Sequence, residues 1–247
     1  MTPLLLAPLA TRFGWREALA VPFVLCSIAA IIWWRSASSD RPLPRSDDRS
    51  RQHPLQLRSF WFLFASYFLQ AYLGYIFVFW FFLYLVQVRH FDVLNAAVFT
   101  ALPWIATIFA IPLGGILSDA AAIRWGPSRG RRIVPSVALS AAAVFLVVGA
   151  RTPSAAVAVA ALTVCTVLVL CTEGPFWATM AQLAGDRSGL AGGTMNFGGN
   201  LGGLISPTLT PWLAERIGWE RTLTLTAGLA VLAGALWLGV DARRNKP

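Results

Sequence analysis

The sequence predicts an all-α membrane protein, a multi-helix transmembrane bundle, on three observations. Hydrophobic residues make up 57% of the 247 and charged residues only 13%, about half the charged share of a soluble globular domain. Mean hydropathy is +0.63. The apolar residues form continuous runs rather than alternating with polar ones, which marks helices and not barrel strands. A soluble domain of this size cannot hide that much apolar surface. A soluble enzyme, a disordered chain and a nucleic-acid-binding domain are thereby set aside. Lipid is the solvent for most of the chain.

The elements follow in order. A stub at residues 3–10 is too short to cross a bilayer. Seven full spans are expected at residues 18–34, 59–86, 95–117, 133–148, 155–184, 190–214 and 222–240. Residues 35–58, rich in Arg, Ser, Asp and Pro, read as a flexible linker. Residues 241–247 form a short polar tail.

The charges orient these spans. The net charge is +9, from 20 Lys+Arg against 11 Asp+Glu. With the C-terminus in the cytoplasm, fourteen of the 20 basic residues fall in cytoplasmic segments, namely 35–58, 119–132, 185–188 and 241–247. Arg12, Arg16, Arg89, Arg151, Arg216 and Arg221 fall opposite. That is the positive-inside bias of a multi-pass cell-membrane protein. It accounts for the charge without nucleic acid, which is not expected as a partner.

Reactive-site signals are sparse. Cys26, Cys165 and Cys171 sit in apolar runs without metal-ligand spacing and read as small core residues. His53 and His90 lie outside the runs. No metal and no cofactor is expected. The sequence holds no Walker A motif, no H-E-x-x-H and no G-x-S-x-G, so ATP-driven or intramembrane enzyme chemistry has little support. Residues 2–10 are apolar but have no basic region before them, so they do not read as a cleavable leader.

The first segment of the chain reappears near its end. PLLLAPLATRFGWREAL from Pro3 resembles PTLTPWLAERIGWERTL from Pro207 at a constant offset. Arg12, Gly14, Trp15 and Leu19 match Arg216, Gly218, Trp219 and Leu223. Further on, Ala29 and Trp33 match Ala233 and Trp237. Such a repeat suggests two parallel halves with a binding site between them near the midplane. On that reading residues 1–34 end a first half and residues 59–240 form a second six-helix half. Most of the first half would then lie upstream.

Four stretches carry a family resemblance. They are FGWREA at 13–18, WFFLYLVQVRHF at 80–91, GGILSD at 114–119 with GRR at 130–132, and GGTMNFGGNLGGLISP at 192–207. They resemble the major facilitator superfamily, and within it the anion:cation symporters of the galactonate, glucarate, tartrate and phthalate permease types. Phe82 stands where that group commonly has proline. The resemblance implies alternating access by two rocking six-helix bundles, a small organic anion as substrate, and H+ or Na+ as coupling ion.

Several residues could carry function. Glu173 is the only acid well inside a predicted span, and an intramembrane carboxylate tends to face a cavity or a partner. It precedes Gly174 and Pro175, which interrupt the helix. It reads either as a proton-coupling or substrate-orienting group, or as a structural acid bonded between helices. Trp177 lies one turn on, on the same face. Asn196 and Asn200 share a face of a glycine-rich helix; they read as ligand-binding amides or interhelical bonds, and the resemblance favours Asn200 for the substrate. Gln70, Tyr72 and Tyr75 lie nearer mid-span than Tyr67, Trp80 and Tyr84 on the aromatic helix, and one or two of them are expected to line the cavity. Trp104 follows Pro103 and is a weaker candidate. The stripes Thr194, Gly198, Gly202, Ser206 and Gly199, Gly203 suit close helix packing. By resemblance, Gly115, Asp119, Arg124, Arg131 and Arg132 form a cytoplasmic loop latch whose ion pair holds one conformation; simple positive-inside anchoring is the alternative, which suffices for Arg131 and Arg132 individually but does not explain Asp119. The resemblance also places the anion's counter-charge on first-half helices.

The expected function is secondary active symport of a small organic anion, a sugar acid or carboxylate, by an incomplete or half transporter. The expected partners are the lipid bilayer, the anion with its coupling ion, and a missing N-terminal half or a second copy. The competing expectation is a non-transporting membrane scaffold or inactive relic, because an unpaired bundle exposes small-residue faces.

Overall fold

A computed structural model describes residues 12–36 and 53–242. The stub at 3–10, most of the linker and residues 243–247 lie outside the described residues. The chain divides into two compact units between residues 49 and 50.

The first unit is described by one helix, α1 (Trp15–Ser36), of 22 residues. At 1.5 Å per residue it measures about 33 Å, a bilayer's hydrocarbon thickness. Its apolar side chains, including Phe23, Trp33 and Trp34, face outward, as lipid requires.

The second unit holds α2 (Arg58–Phe79), α3 (Phe81–Gln87), α4 (Val93–Trp125), α5 (Pro127–Arg151), α6 (Ala155–Leu170), α7 (Glu173–Ala184), α8 (Ser188–Ile217) and α9 (Trp219–Leu236). Two of the expected spans are broken. α2 and α3 are one crossing interrupted at Trp80, and α6 and α7 are one crossing interrupted at Cys171 and Thr172. The helical stretch Ala155–Ile217 runs for 63 residues, about 95 Å if straight. It reverses at the turn Gly185–Arg187, so that a Cβ on Gly192 of α8 would lie 3.4 Å from Met180 and 3.5 Å from Trp177 of α7. This unit therefore crosses six times.

Helix ends gather at two levels. At one, Arg132 donates to the Val240 carbonyl, Gln182 to Ala242, and the Asp241 amide to Ser59. At the other, the Arg89 guanidinium donates to Tyr84 and to the carbonyls of Gly149, Ala150 and Thr152, which end α5. Trp80 and Tyr84 pack on Trp219 there. The core has two apolar clusters. One is built on Phe60, Leu63, Phe176 and Trp237, the other on Ile76, Phe77, Leu146 and Leu162.

The repeated R-x-G-W segment adopts the same local structure in both copies. Gly14 and Gly218 have φ of +96° and +85°, a region glycine enters freely. Each then accepts from the amide four residues on, Ala18 at 3.2 Å and Thr222 at 3.1 Å, and a helix begins at Trp15 or Trp219.

The expected cytoplasmic loop at 119–132 is not a loop. α4 continues to Trp125, and α5 begins at Pro127 after Gly126, φ +85°. The alanine run at 120–122 propagates the helix. Proline at the first helical position starts the next one.

Candidate functional site

Glu173 is the first residue of α7, directly after the break. Its carboxylate accepts three hydrogen bonds. The Gln70 amide donates at 3.0 Å, the Trp177 indole N–H at 3.1 Å and the Tyr67 hydroxyl at 3.4 Å. Gln70 also donates to the carbonyl of Val169, at 3.3 Å. That carbonyl, at the end of α6, also accepts from the Thr172 hydroxyl at 2.6 Å and the Thr172 amide at 3.4 Å. One buried amide thus ties the end of α6 to the start of α7.

These groups stand on the wall of a cavity of about 310 Å³, lined by Tyr67, Gln70, Ala71, Gly74, Tyr75, Val78, Trp104, Leu170, Glu173, Asn196, Gly199 and Asn200. Each Glu173 partner is a neutral donor, and no Lys, Arg or His lines the cavity among the described residues. The polar groups sit where the two apolar clusters meet, since Tyr67 packs into one and Tyr72 and Leu73 into the other.

The helix that faces α2 explains how the wall is built. α8 lays its glycines against α2, Gly198, Gly199 and Gly203 on the Phe64, Tyr67 and Tyr75 rings and Gly202 on the Phe68 carbonyl. A Cβ at Gly199 would lie 2.7 Å from the Tyr67 ring, and one at Gly203 would lie 2.7 Å from Tyr75. Glycine lets the helices close to backbone distance, which turns Asn196 and Asn200 toward the same space. Asn200 donates to the Asn196 carbonyl at 2.8 Å and to its side-chain oxygen at 3.2 Å.

The structure therefore brings Gln70, Tyr75, Trp104, Glu173, Asn196 and Asn200 together, with Trp177 bonded to the carboxylate. Tyr72 lies elsewhere. Its ring is buried between α2 and α8, and its hydroxyl bonds Thr210 at 2.9 Å. Tyr67 takes part in its stead. The signal for it was helical phase, since Tyr67 is three residues from Gln70 while Tyr72 is two away, on the far side of the helix.

The latch residues separate into four places. Asp119 pairs with Arg131 at 2.5 Å across the α4–α5 turn. Gly130 makes that turn possible, because a Cβ there would overlap the backbone of Ala121 and Ala122. Arg124 lies over the Trp125 ring, 5.5 Å from its centroid, and not on Asp119. Arg132 holds the Val240 carbonyl. Gly115 faces open space on its own side and meets Gly174 of α7 through its backbone.

Comparison with known proteins agrees with this architecture. The family model described as Major Facilitator Superfamily matches residues 1–207. A probable sulfoacetate transporter of Cupriavidus necator is 34% identical over 154 residues, 62% of this chain and 36% of that protein. The hexuronate transporter of Bacillus subtilis is 26% identical over 246 residues, 91% of this chain and 57% of that protein. A D-galactonate transporter of Escherichia coli is 26% identical over 197 residues, 76% and 45% of the two chains. The chain spans about a third to somewhat over half the length of these relatives. A bundle of membrane-length helices matched over most of its sequence by that model belongs to the major facilitator superfamily.

Proposed function

We propose that this bundle is one half of a secondary transporter for a small organic anion, and that Glu173 carries the coupled proton. The observation behind this reading is a carboxylate at a helix break inside the bundle, on a cavity wall, satisfied by Gln70, Trp177 and Tyr67. Burying a carboxylate is costly, and an intramembrane one usually serves an ion pathway. Neutral donors matter here. Protonating a carboxylate paired with a buried cation would strand that cation, whereas protonating Glu173 strands none. Tyr67 can also turn its hydroxyl from donor to acceptor.

Asn196, Asn200 and Tyr75 offer hydrogen bonds to the hydroxyl or carbonyl groups of a ligand. Among the described residues the cavity wall carries no cation, so on this reading the anion's counter-charge comes from a second six-helix bundle. Two such bundles rocking about a midplane site perform alternating access. The organic-anion substrate class is supported by the names of the relatives. The C-terminus is placed in the cytoplasm of a cell membrane on the strength of the arginine bias.

The test uses the protein as it is made in its own membranes. Vesicles are assayed for uptake of labelled hexuronate, galactonate and sulfoacetate at stepped external pH. Uptake that rises as external pH falls is expected, and Glu173→Gln is expected to abolish that dependence. Unchanged pH dependence in the variant removes Glu173 from coupling. No uptake of any organic anion by the intact protein removes the transport reading.

A further inference from the structure

We propose that Gly114 of α4 positions Glu173. Pro175 has no N–H to return to the carbonyl four residues earlier, that of Cys171. That carbonyl turns out of the helix toward α4 and occupies the space where a side chain at residue 114 would begin. A Cβ on Gly114 would overlap the Cys171 oxygen and lie 2.7 Å from its carbonyl carbon. The oxygen rests instead against the glycine's α-hydrogens, a recurring contact where helices cross closely. On the other side of the same crossing, a Cβ on Gly174 would lie 3.1 Å from the Gly115 Cα and 3.4 Å from the Ile111 carbonyl oxygen. The break at Cys171 and Thr172 is thus clamped between two backbones. Glu173 follows it immediately, so the clamp sets where the carboxylate meets its three donors.

Gly115 supplies an internal control. It is next in sequence, yet a Cβ on it meets nothing within 4 Å. A general intolerance of α4 to larger residues would affect both positions. The assigned role affects only residue 114.

This assignment takes Glu173 as the working carboxylate, as above, but its readout does not need transport. A carbodiimide modifies the protonated carboxyl. The fraction of Glu173 modified at each pH, mapped by mass spectrometry on the intact protein in membranes, reports how the site holds its proton. The titratable groups around it are Tyr67 and Tyr75 of α2. α4 presents Gly114, Gly115 and Trp104, and α8 presents Asn196 and Asn200, so no cation or second carboxylate lines the cavity among the described residues.

Gly114→Ala displaces the break and costs the carboxylate some of its donors. The labelling midpoint is expected to rise by about one pH unit, a tenfold change in proton affinity. Gly115→Ala is expected to leave it in place. Pro175→Ala returns an N–H to the Cys171 carbonyl and draws it off Gly114. It is expected to move the midpoint in the same direction by less, and it decides the matter if Gly114→Ala does not fold. An unmoved midpoint in Pro175→Ala and in any folded Gly114→Ala, or an equal shift in Gly115→Ala, overturns the assignment. PH-dependent uptake unaffected by Glu173→Gln would instead remove the coupling role and leave the labelling result standing.

Discussion

At the scale of single residues, the three donors on Glu173 are unequal. Gln70 is fully buried and donates twice, to Glu173 and to Val169. Tyr67 donates once, at 3.4 Å, near the limit of a useful bond. Gln70→Leu removes both bonds; the Val169 carbonyl keeps its bonds from Thr172, but the carboxylate loses a donor, a loss of about 1.5–3 kcal/mol for a hydrogen bond to a charged group. Tyr67→Phe is expected to cost well under half of that. Thermal unfolding midpoints in detergent, compared between the two variants, check the order. A Tyr67→Phe loss equal to that of Gln70→Leu would refute it. Most of this cluster was legible in the sequence because few polar groups occur within spans, and those that do must find partners. Which of the four α2 tyrosines and amides joined it was not legible. That helix is apolar on nearly every face, so its pattern carries no phase. Gln70 could have set the phase for Tyr67, about 60° away around the helix, and put Tyr72 behind, but it leaves Tyr75 about 140° away and undecided.

At the scale of elements, the interruptions decide the geometry, and they were only half visible. Pro175 announced the α6–α7 break, but the break falls at Cys171 and Thr172, with the proline inside the first turn of α7, where a missing N–H costs little. The break at Trp80 has no proline or glycine beside it; Phe82 follows it. Conversely, Pro103 and Pro112 lie within an unbroken α4 of 33 residues. Proline near a break was therefore neither necessary nor sufficient, because packing around each span settles whether freed carbonyls find partners.

The start of α4 gives a prediction with a definite sign. Asp92 caps it, accepting from the Asn95 amide at 3.0 Å and from its side chain at 2.5 Å. Those bonds, the backbone one first, hold its carboxyl below the usual carboxylate range. A depressed folded-state value means that the cap stabilises above the ordinary range and is lost as pH falls through the depressed value. Hydrogen-exchange protection of the first amides of α4 is expected to fall on acidification through that window. Asp92→Asn still caps but should show no such step. An identical step in the variant would assign it to another group.

At the scale of the whole molecule, the two levels of helix ends and the basic residues make one statement about orientation. The raw count, fourteen basic residues against six, understates the asymmetry. Of the six, Arg89 is bound to the carbonyls that end α5, Arg151 lies 3.6 Å from Glu220, and Arg216 lies over the Trp212 ring at 3.9 Å. Those three are engaged by the fold, so they report less about topology than a charge in solvent. On the other level Asp119 and Arg131 form a pair across the α4–α5 turn, and Arg132 anchors α5 to the end of α9. The surplus of positive charge there remains, which supports the proposed cytoplasmic orientation of that level. Single cysteines placed at Thr152 and at Ser188 distinguish the two levels, after Cys26, Cys165 and Cys171 are replaced. An impermeant maleimide added to intact cells is expected to label Thr152→Cys and to reach Ser188→Cys only after the membrane is opened. The reverse pattern would invert the bundle. It would also place the Asp119–Arg131 pair outside the cell, where the arginine bias could no longer explain the charge.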